Sequence, residues 1–350
     1  MTRSTDNVWL RRFAWVTAGA TLVLIGFGGL VTSHGAGMAV PDWPNTYGYN
    51  LFFFPISRWV GGIFYEHTHR LVAAGVGLLT TILAGWLWLK EARRPLRWLG
   101  LLAWFGVVFQ GVLGGLRVTL YKDQLGIFHA LVAQLFLVLV VMIALQTTRW
   151  WQAWAVRPAV PAAVRHGFWL GTLLVLVQLG LGATMRHQHA GLSIPDFPLA
   201  YGRLWPRTDP AAILHYNQQR IEVEGYNPIT AFQVELQMVH RLVAVAILAA
   251  VLLAARRARA QLGPTHLLSR LGWAWVGFVL AQIGLGAATI WTGKSADVAT
   301  AHVVVGALTL VVGAVSGFTA GHAGRAPARE ASTDRPQVVA TSACAGLPVG

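Results

Sequence analysis

The pentapeptide His69-Arg70-Leu71-Val72-Ala73 returns unchanged as His240-Arg241-Leu242-Val243-Ala244. Each copy opens a long apolar stretch. An ionisable side chain at the mouth of a membrane helix is costly, so a histidine kept there twice points to a duplicated metal or cofactor site. The repeat extends outward. Ala36-Gly37-Met38-Ala39-Val40-Pro41-Asp42-Trp43-Pro44-Asn45-Thr46-Tyr47-Gly48 matches the run Ala190–Gly202, with seven of thirteen positions identical. A third pair is Gln110-Gly111-Val112-Leu113-Gly114-Gly115 and Gln282-Ile283-Gly284-Leu285-Gly286-Ala287. Repetition at this scale is the mark of one structural unit used twice.

Composition sets the class. Of 350 residues, 55% are hydrophobic and 11% charged, far from the balance of a soluble domain. Eight stretches are long and apolar enough to cross a bilayer as helices, near 13–33, 69–89, 98–116, 126–146, 168–185, 236–255, 272–291 and 299–320. Short alternating segments of a β-barrel are absent. With the N-terminus inside, the inner segments carry 17 basic and four acidic residues and the outer ones 10 and nine. The net charge of +14 therefore reports topology by the positive-inside rule, not a nucleic-acid surface. The single cysteine, Cys344, allows neither an intramolecular disulfide nor a thiolate cluster.

The expected fold is an all-α integral membrane protein. Its eight transmembrane helices form two tandem four-helix bundles related by pseudo-two-fold symmetry along the membrane normal. Residues 1–150 form the first bundle, 151–167 a cytoplasmic linker, 168–320 the second bundle and 321–350 a disordered cytoplasmic tail. The outer loops, 34–67 and 186–235, are too apolar for linkers and are expected to pack over the bundle ends, partly as helix. The glycines at 111, 115, 180 and 182 predict close approach of helix backbones.

Each half has a second histidine near the outer end of its fourth helix, His129 and His302. In an up-down-up-down bundle helices two and four are diagonal and run the same way. His69 can thus face His129, and His240 can face His302. Two opposed imidazoles suit a six-coordinate heme iron. Zinc or copper fits less well, because neither half adds a third ligand of obvious spacing. Glu66, three residues before His69, aligns with Gln237, so an acid stands at the site in one half only. There it is suited to proton transfer or to stabilising a developing cation, or it is a helix-terminal acid favoured by the dipole. Arg70 and Arg241 are placed either to pair with heme propionates or to snorkel. Asp42 and Asp196, in Pro-Asp-aromatic-Pro turns, read as loop-fixing residues. His34, His67, His187 and His189 lack matched partners.

With these residues assembled, the chain resembles the heme A synthase family over roughly residues 10–320. The resemblance rests on Gly28-Gly29-Leu30-Val31-Thr32, both Pro-Asp-aromatic-Pro loops, Glu66-x-x-His69-Arg70, Gln110-Gly111 with Gly114-Gly115, and the paired histidines. It implies oxidation of the C8 methyl of heme O to a formyl group for cytochrome oxidase. It puts axial ligands at His69, His129, His240 and His302, and the functional acid at Glu66. The first half would hold heme O as substrate, with Arg70; the second would hold heme b as electron-transfer cofactor, with Arg241. It further implies an inner-membrane location with cytoplasmic termini, the heme O-producing prenyl transferase and an electron donor as partners, surrounding lipid, and room for a homo-oligomer. The outer-loop cysteine pair of some members is missing, which places the chain with a cysteine-free subgroup. The rival readings are a bis-heme b electron carrier, which needs no one-sided acid, and a repeat-built transporter, which predicts no heme. A prenyl transferase is disfavoured by the lack of an aspartate-rich diphosphate motif.

Overall fold

A computed structural model describes residues 7–220 and 228–325. Eight long helices dominate: α1 (Val8–Ser33), α2 (Gly61–Lys90), α3 (Arg94–Thr119), α4 (Asp123–Gln146), α6 (Ala162–His187), α8 (Ala231–Leu262), α9 (Leu267–Trp291) and α10 (Ala296–His322). The shortest, α4, has 24 residues and is about 36 Å long at 1.5 Å per residue, enough to cross a hydrocarbon core of about 30 Å. All eight are apolar enough to span a membrane. Two short helices lie in the connections, α5 (Arg149–Trp154) and α7 (Pro210–Arg220). The only β-pairing among the described residues is two isolated bridges. The chain is an all-α, multi-pass membrane protein.

Helices α1 to α4 pack as a ring, α1 on α2, α2 on α3, α3 on α4 and α4 back on α1. Helices α6, α8, α9 and α10 repeat that order. The two rings meet through α1, α4, α6 and α10. Each ring has its own apolar core. One gathers Leu10, Leu83, Leu87, Phe136, Val140 and Ile143; the other gathers Val164, Phe168, Val251, Leu268, Trp275 and Leu310. Trp275 fills the second core. Its indole N–H donates to Thr309 O at 2.8 Å, and it lies against Gly171 and Gly313, where a Cβ would collide with the ring. Large apolar side chains such as Leu78, Phe105, Leu173 and Val245 stay exposed, as lipid-facing positions require.

The helix starts differ from the sequence expectation. The apolar stretches predict starts near 69 and 236, but α2 begins at Gly61 and α8 at Ala231. His69 and His240 therefore sit more than two turns inside their helices. The added turns bring Glu66, His67 and Thr68 into α2 and Gln233 and Glu235 into α8. At α8, Thr230 and Gln233 form a reciprocal capping box. At the opposite end, α6 begins at Ala162, inside the expected linker, and α5 docks by a Trp154 indole N–H bond to Thr319 O at 3.0 Å. Most of the expected disordered tail, beyond 325, lies outside the described residues.

The two Pro-Asp-aromatic-Pro loops adopt one conformation. The Asp42 carboxylate accepts the amides of Tyr47 and Gly48 at 2.7 and 2.8 Å; Asp196 accepts those of Tyr201 and Gly202 at 2.7 and 2.9 Å. The Tyr47 hydroxyl donates to Ala39 O and the Tyr201 hydroxyl to Ser193 O, each at 2.6 Å. Both tyrosines have positive φ, 49° and 51°, a conformation the carboxylate–amide pair holds in place. At Asp42, burial pushes the carboxyl up, but the Gly48 and Tyr47 amides together with Arg70 outweigh it and hold the group below the usual carboxylate range.

Candidate heme sites

The four repeated histidines are enclosed by the bundles, yet each keeps part of its surface accessible. His69 and His129 lie within electrostatic reach of one another, as do His240 and His302. The diagonal pairing expected from helix order is thus present in space.

Each ring is seated in the same way. A Cβ built on Gly28 of α1 would lie 3.3 Å from His69 Cε1, and one on Gly114 of α3 would lie 3.2 Å from His129 Cε1. The corresponding glycines of the second half, Gly182 of α6 and Gly286 of α9, stand to His240 and His302 at 3.4 Å. All four Nδ1 atoms are buried without a hydrogen-bond partner. With Nδ1 closed off against the helices, Nε2 is the ring nitrogen left to meet a ligand. No group of three or more His, Cys, Asp or Glu side chains converges among the described residues. The donor sets are pairs of imidazoles, and the chemistry of such a pair fits a heme iron with two axial nitrogens.

Glutamine amides brace two of these helices. Gln110 Nε2 donates to His129 O at 3.0 Å, and Gln178 Nε2 donates to His240 O at 2.9 Å. The seating of His69 by Gly28 and of His302 by Gly286, and the brace at Gln178, were not foreseen from the sequence. A usable signal was present: Gly28 and Gly182 are separated by the same interval as the two loops, and Gly114 and Gly286 by the same interval as Gln110 and Gln282. The glycines expected to bring backbones together behave differently. Gly182 receives His240, Gly115 lies under the Trp43 indole, and Gly111 and Gly180 have nothing within 4 Å.

Glu66 is 4% exposed and Gln237 is 2% exposed. Both clamp the outer loop of their half. Glu66 Oε2 accepts the Val40 amide and Gln237 Oε1 accepts the Ile194 amide, each at 2.8 Å. The halves part at the next bond. Glu66 Oε1 accepts Arg70 Nη2 at 2.8 Å, whereas Gln237 accepts the Ser193 hydroxyl on the same Oε1 that holds Ile194, at 2.7 Å. Lying one turn from His69 on the same helix, Glu66 shares its face.

The arginines that follow the histidines are turned to the loops. Arg70 donates to the carbonyls of Val40, Asp42 and Asn45 at 2.7, 2.6 and 2.9 Å. Arg241 donates to those of Asp196 and Leu199, both at 2.8 Å, and lies over the Phe197 ring. Arg70 has four of its five N–H donors engaged once Glu66 is included, whereas Arg241 has two. His67, left unassigned by the sequence, is fully buried, with Nδ1 3.0 Å from Thr46 Oγ1 and its ring against Phe54 and Trp59. His34 stacks on Tyr65.

Residues 54–314 match a family model described as cytochrome oxidase assembly protein. The chain is 31% identical over 259 residues to the heme A synthase of Rhizorhabdus wittichii, an alignment covering 71% of this chain and 68% of that protein. It is 29% identical over 346 residues to the heme A synthase of Methylobacterium sp. 4-46, covering 87% and 91%. To the heme A synthase of Shouchella clausii it is 29% identical over 210 residues, 58% and 68% of the two chains. On this similarity, which spans the stretch that builds most of the paired histidine seats, the chain belongs to the heme A synthase family of cytochrome oxidase assembly proteins.

Proposed function

We propose that the protein is a heme A synthase, an oxidoreductase that converts the C8 methyl of heme O to a formyl group through an alcohol. With O2 as oxidant, each of two hydroxylations inserts one oxygen atom and takes two electrons and two protons to leave the other as water; the gem-diol so formed loses water to give the aldehyde. The observation that carries this reading is the four-fold seat: two pairs of enclosed histidines, each ring backed by a glycine and each Nδ1 closed off.

His69 and His129 would hold heme O as substrate, and His240 and His302 would hold heme b as cofactor. Bound there, heme b supplies a one-electron path between an external donor and the substrate site. The assignment of the halves rests on Glu66, the one acid in these two matched positions. Fixed by the Val40 amide and Arg70, Glu66 would hold a carboxylate at the substrate side of α2, where it can take a proton or stabilise positive charge developing beside the methyl. Arg70 and Arg241 would hold the loops over the two sites. The basic ends of the bundles would face the cytoplasm, placing both sites toward the outer face of the inner membrane.

The test is chromatography of hemes from membranes supplied with heme O. His69→Ala and His129→Ala should abolish heme A formation while heme b stays bound. His240→Ala and His302→Ala should remove the heme b signal. Heme A formation unaffected by either pair would overturn the reading.

A further inference from the structure

Arg186, in the last turn of α6, reaches across to the first half. Its Nη2 donates to Gly29 O at 3.0 Å and also to Ser33 Oγ. Both acceptors belong to α1. Gly29 follows the glycine that seats His69, and Ser33 Oγ touches Thr300 Oγ1 of α10 at 3.4 Å, two residues before His302. The guanidinium therefore ties α6 to α1 next to the glycine that seats His69, and it lies within electrostatic reach of His302.

Lys294 joins it from the turn between α9 and α10. Gly293 and Lys294 both have positive φ, 60° and 67°; glycine adopts it freely, but a lysine there is strained and persists where something else fixes it. Lys294 is half-buried and lies within electrostatic reach of Arg186. Burial, and then Arg186, push its ammonium below the usual lysine range. Among the described residues neither cation has a carboxylate partner. Two partly desolvated cations side by side repel one another unless an anion joins them. Arg241, at the same end of the bundle, is turned toward the loop, where two of its five N–H donors hold the Asp196 and Leu199 carbonyls.

We propose that Arg186 and Lys294 bind the propionate carboxylates of the heme held between His240 and His302. This rests on the two-heme reading above. Arg186 supplies two or more planar donors and Lys294 a point charge, a combination suited to a pair of carboxylates. A lipid phosphate offers the same anionic chemistry from another source, and the experiment separates the two.

Holoprotein is purified as wild type, Lys294→Gln, Arg186→Gln, Arg186→Lys and His302→Ala. Heme b loss to excess apomyoglobin, the midpoint potential of each low-spin heme and the co-purified anionic lipid are measured. The Lys294 ammonium makes no hydrogen bond to the described residues, so Lys294→Gln leaves the packing intact. Its heme b should leave roughly tenfold to a hundredfold faster, the loss expected for a charge-assisted bond, and with a lower midpoint potential. Arg186→Lys should restore the potential that Arg186→Gln lowers. Heme loss and potential equal to wild type in Lys294→Gln and Arg186→Gln would overturn the proposal, and so would loss of bound lipid with heme unchanged. A low-spin heme b signal of undiminished intensity in His302→Ala would instead overturn the two-heme reading itself.

Discussion

Arg70 donates Nη2 to Glu66 Oε1 at 2.8 Å, one helical turn apart on α2, with both side chains largely buried. The matched residues Gln237 and Arg241 share no such bond, and Gln237 instead holds Ser193. One half of a duplicated scaffold thus carries a charge pair beside its histidine, and the other carries a neutral amide.

Removing Glu66's charge should separate structure from chemistry. In Glu66→Gln the amide oxygen can still accept the Val40 N–H, as Gln237 does with Ile194. The variant should fold and retain heme O, while heme A output falls by roughly 10²-fold or more, the scale of a lost acid–base group. Heme O or the alcohol should accumulate on chromatography. Unchanged heme A output would remove Glu66 from the mechanism.

The two arginines should differ in thermal stability. Arg70→Met strands a buried carboxylate as well as three loop carbonyls, a loss of about 3–5 kcal/mol. Arg241→Met strands two carbonyls beside a neutral glutamine and should cost about 1–3 kcal/mol. Melting in detergent checks the order, and equal losses would argue against the Arg70–Glu66 pair as the source of the difference.

The glycine seats predict a spectroscopic effect. Gly114→Val and Gly182→Val place methyl groups where His129 and His240 rest, so each ring must turn or shift. Low-spin heme signals should change in the half that carries the substitution and stay unchanged in the other. Changes in both halves at once would point to general misfolding.

Acid should loosen the first loop late. The Asp42 carboxyl lies below its ordinary value, so its bonds to Tyr47 and Gly48 stabilise the loop fully above the unfolded carboxyl pKa of about 3.9 and are lost as pH falls through the lower folded value. Protection of the Tyr47 and Gly48 amides, measured against intrinsic exchange at each pH, should stay high at pH 5 and fall only below about pH 4. Asp42→Ala should lack that protection at every pH, and protection retained in that variant would detach the loop from Asp42.

Much of this architecture was legible because the chain repeats itself. The pentapeptides at 69 and 240 and the loops at 42 and 196 mark the two units from the order of residues alone. The same repeat located both histidine pairs, since helix order fixes which ends share a depth. The start of α2 was not legible. Glu66, His67 and Thr68 lower the local hydropathy, yet they lie in helix because the loop covers two of them: Val40 bonds Glu66, and Thr46 bonds His67. The destinations of Arg70 and Arg241 were also hidden, because their partners are backbone carbonyls that any residue could supply. Arg186 was hidden for another reason. Its matched position in the first half is the neutral Thr32, so the repeat that exposed the histidines gave no sign of it.

The measurement closest to the central claim is the heme content of the purified wild-type protein from cells that supply heme O, by optical spectrum and extracted-heme chromatography. Heme b together with heme O, heme A or the alcohol, in low-spin form, is the predicted result. Heme b alone at two per chain would contradict a synthase, and a well-folded protein without heme would contradict the histidine pairs themselves.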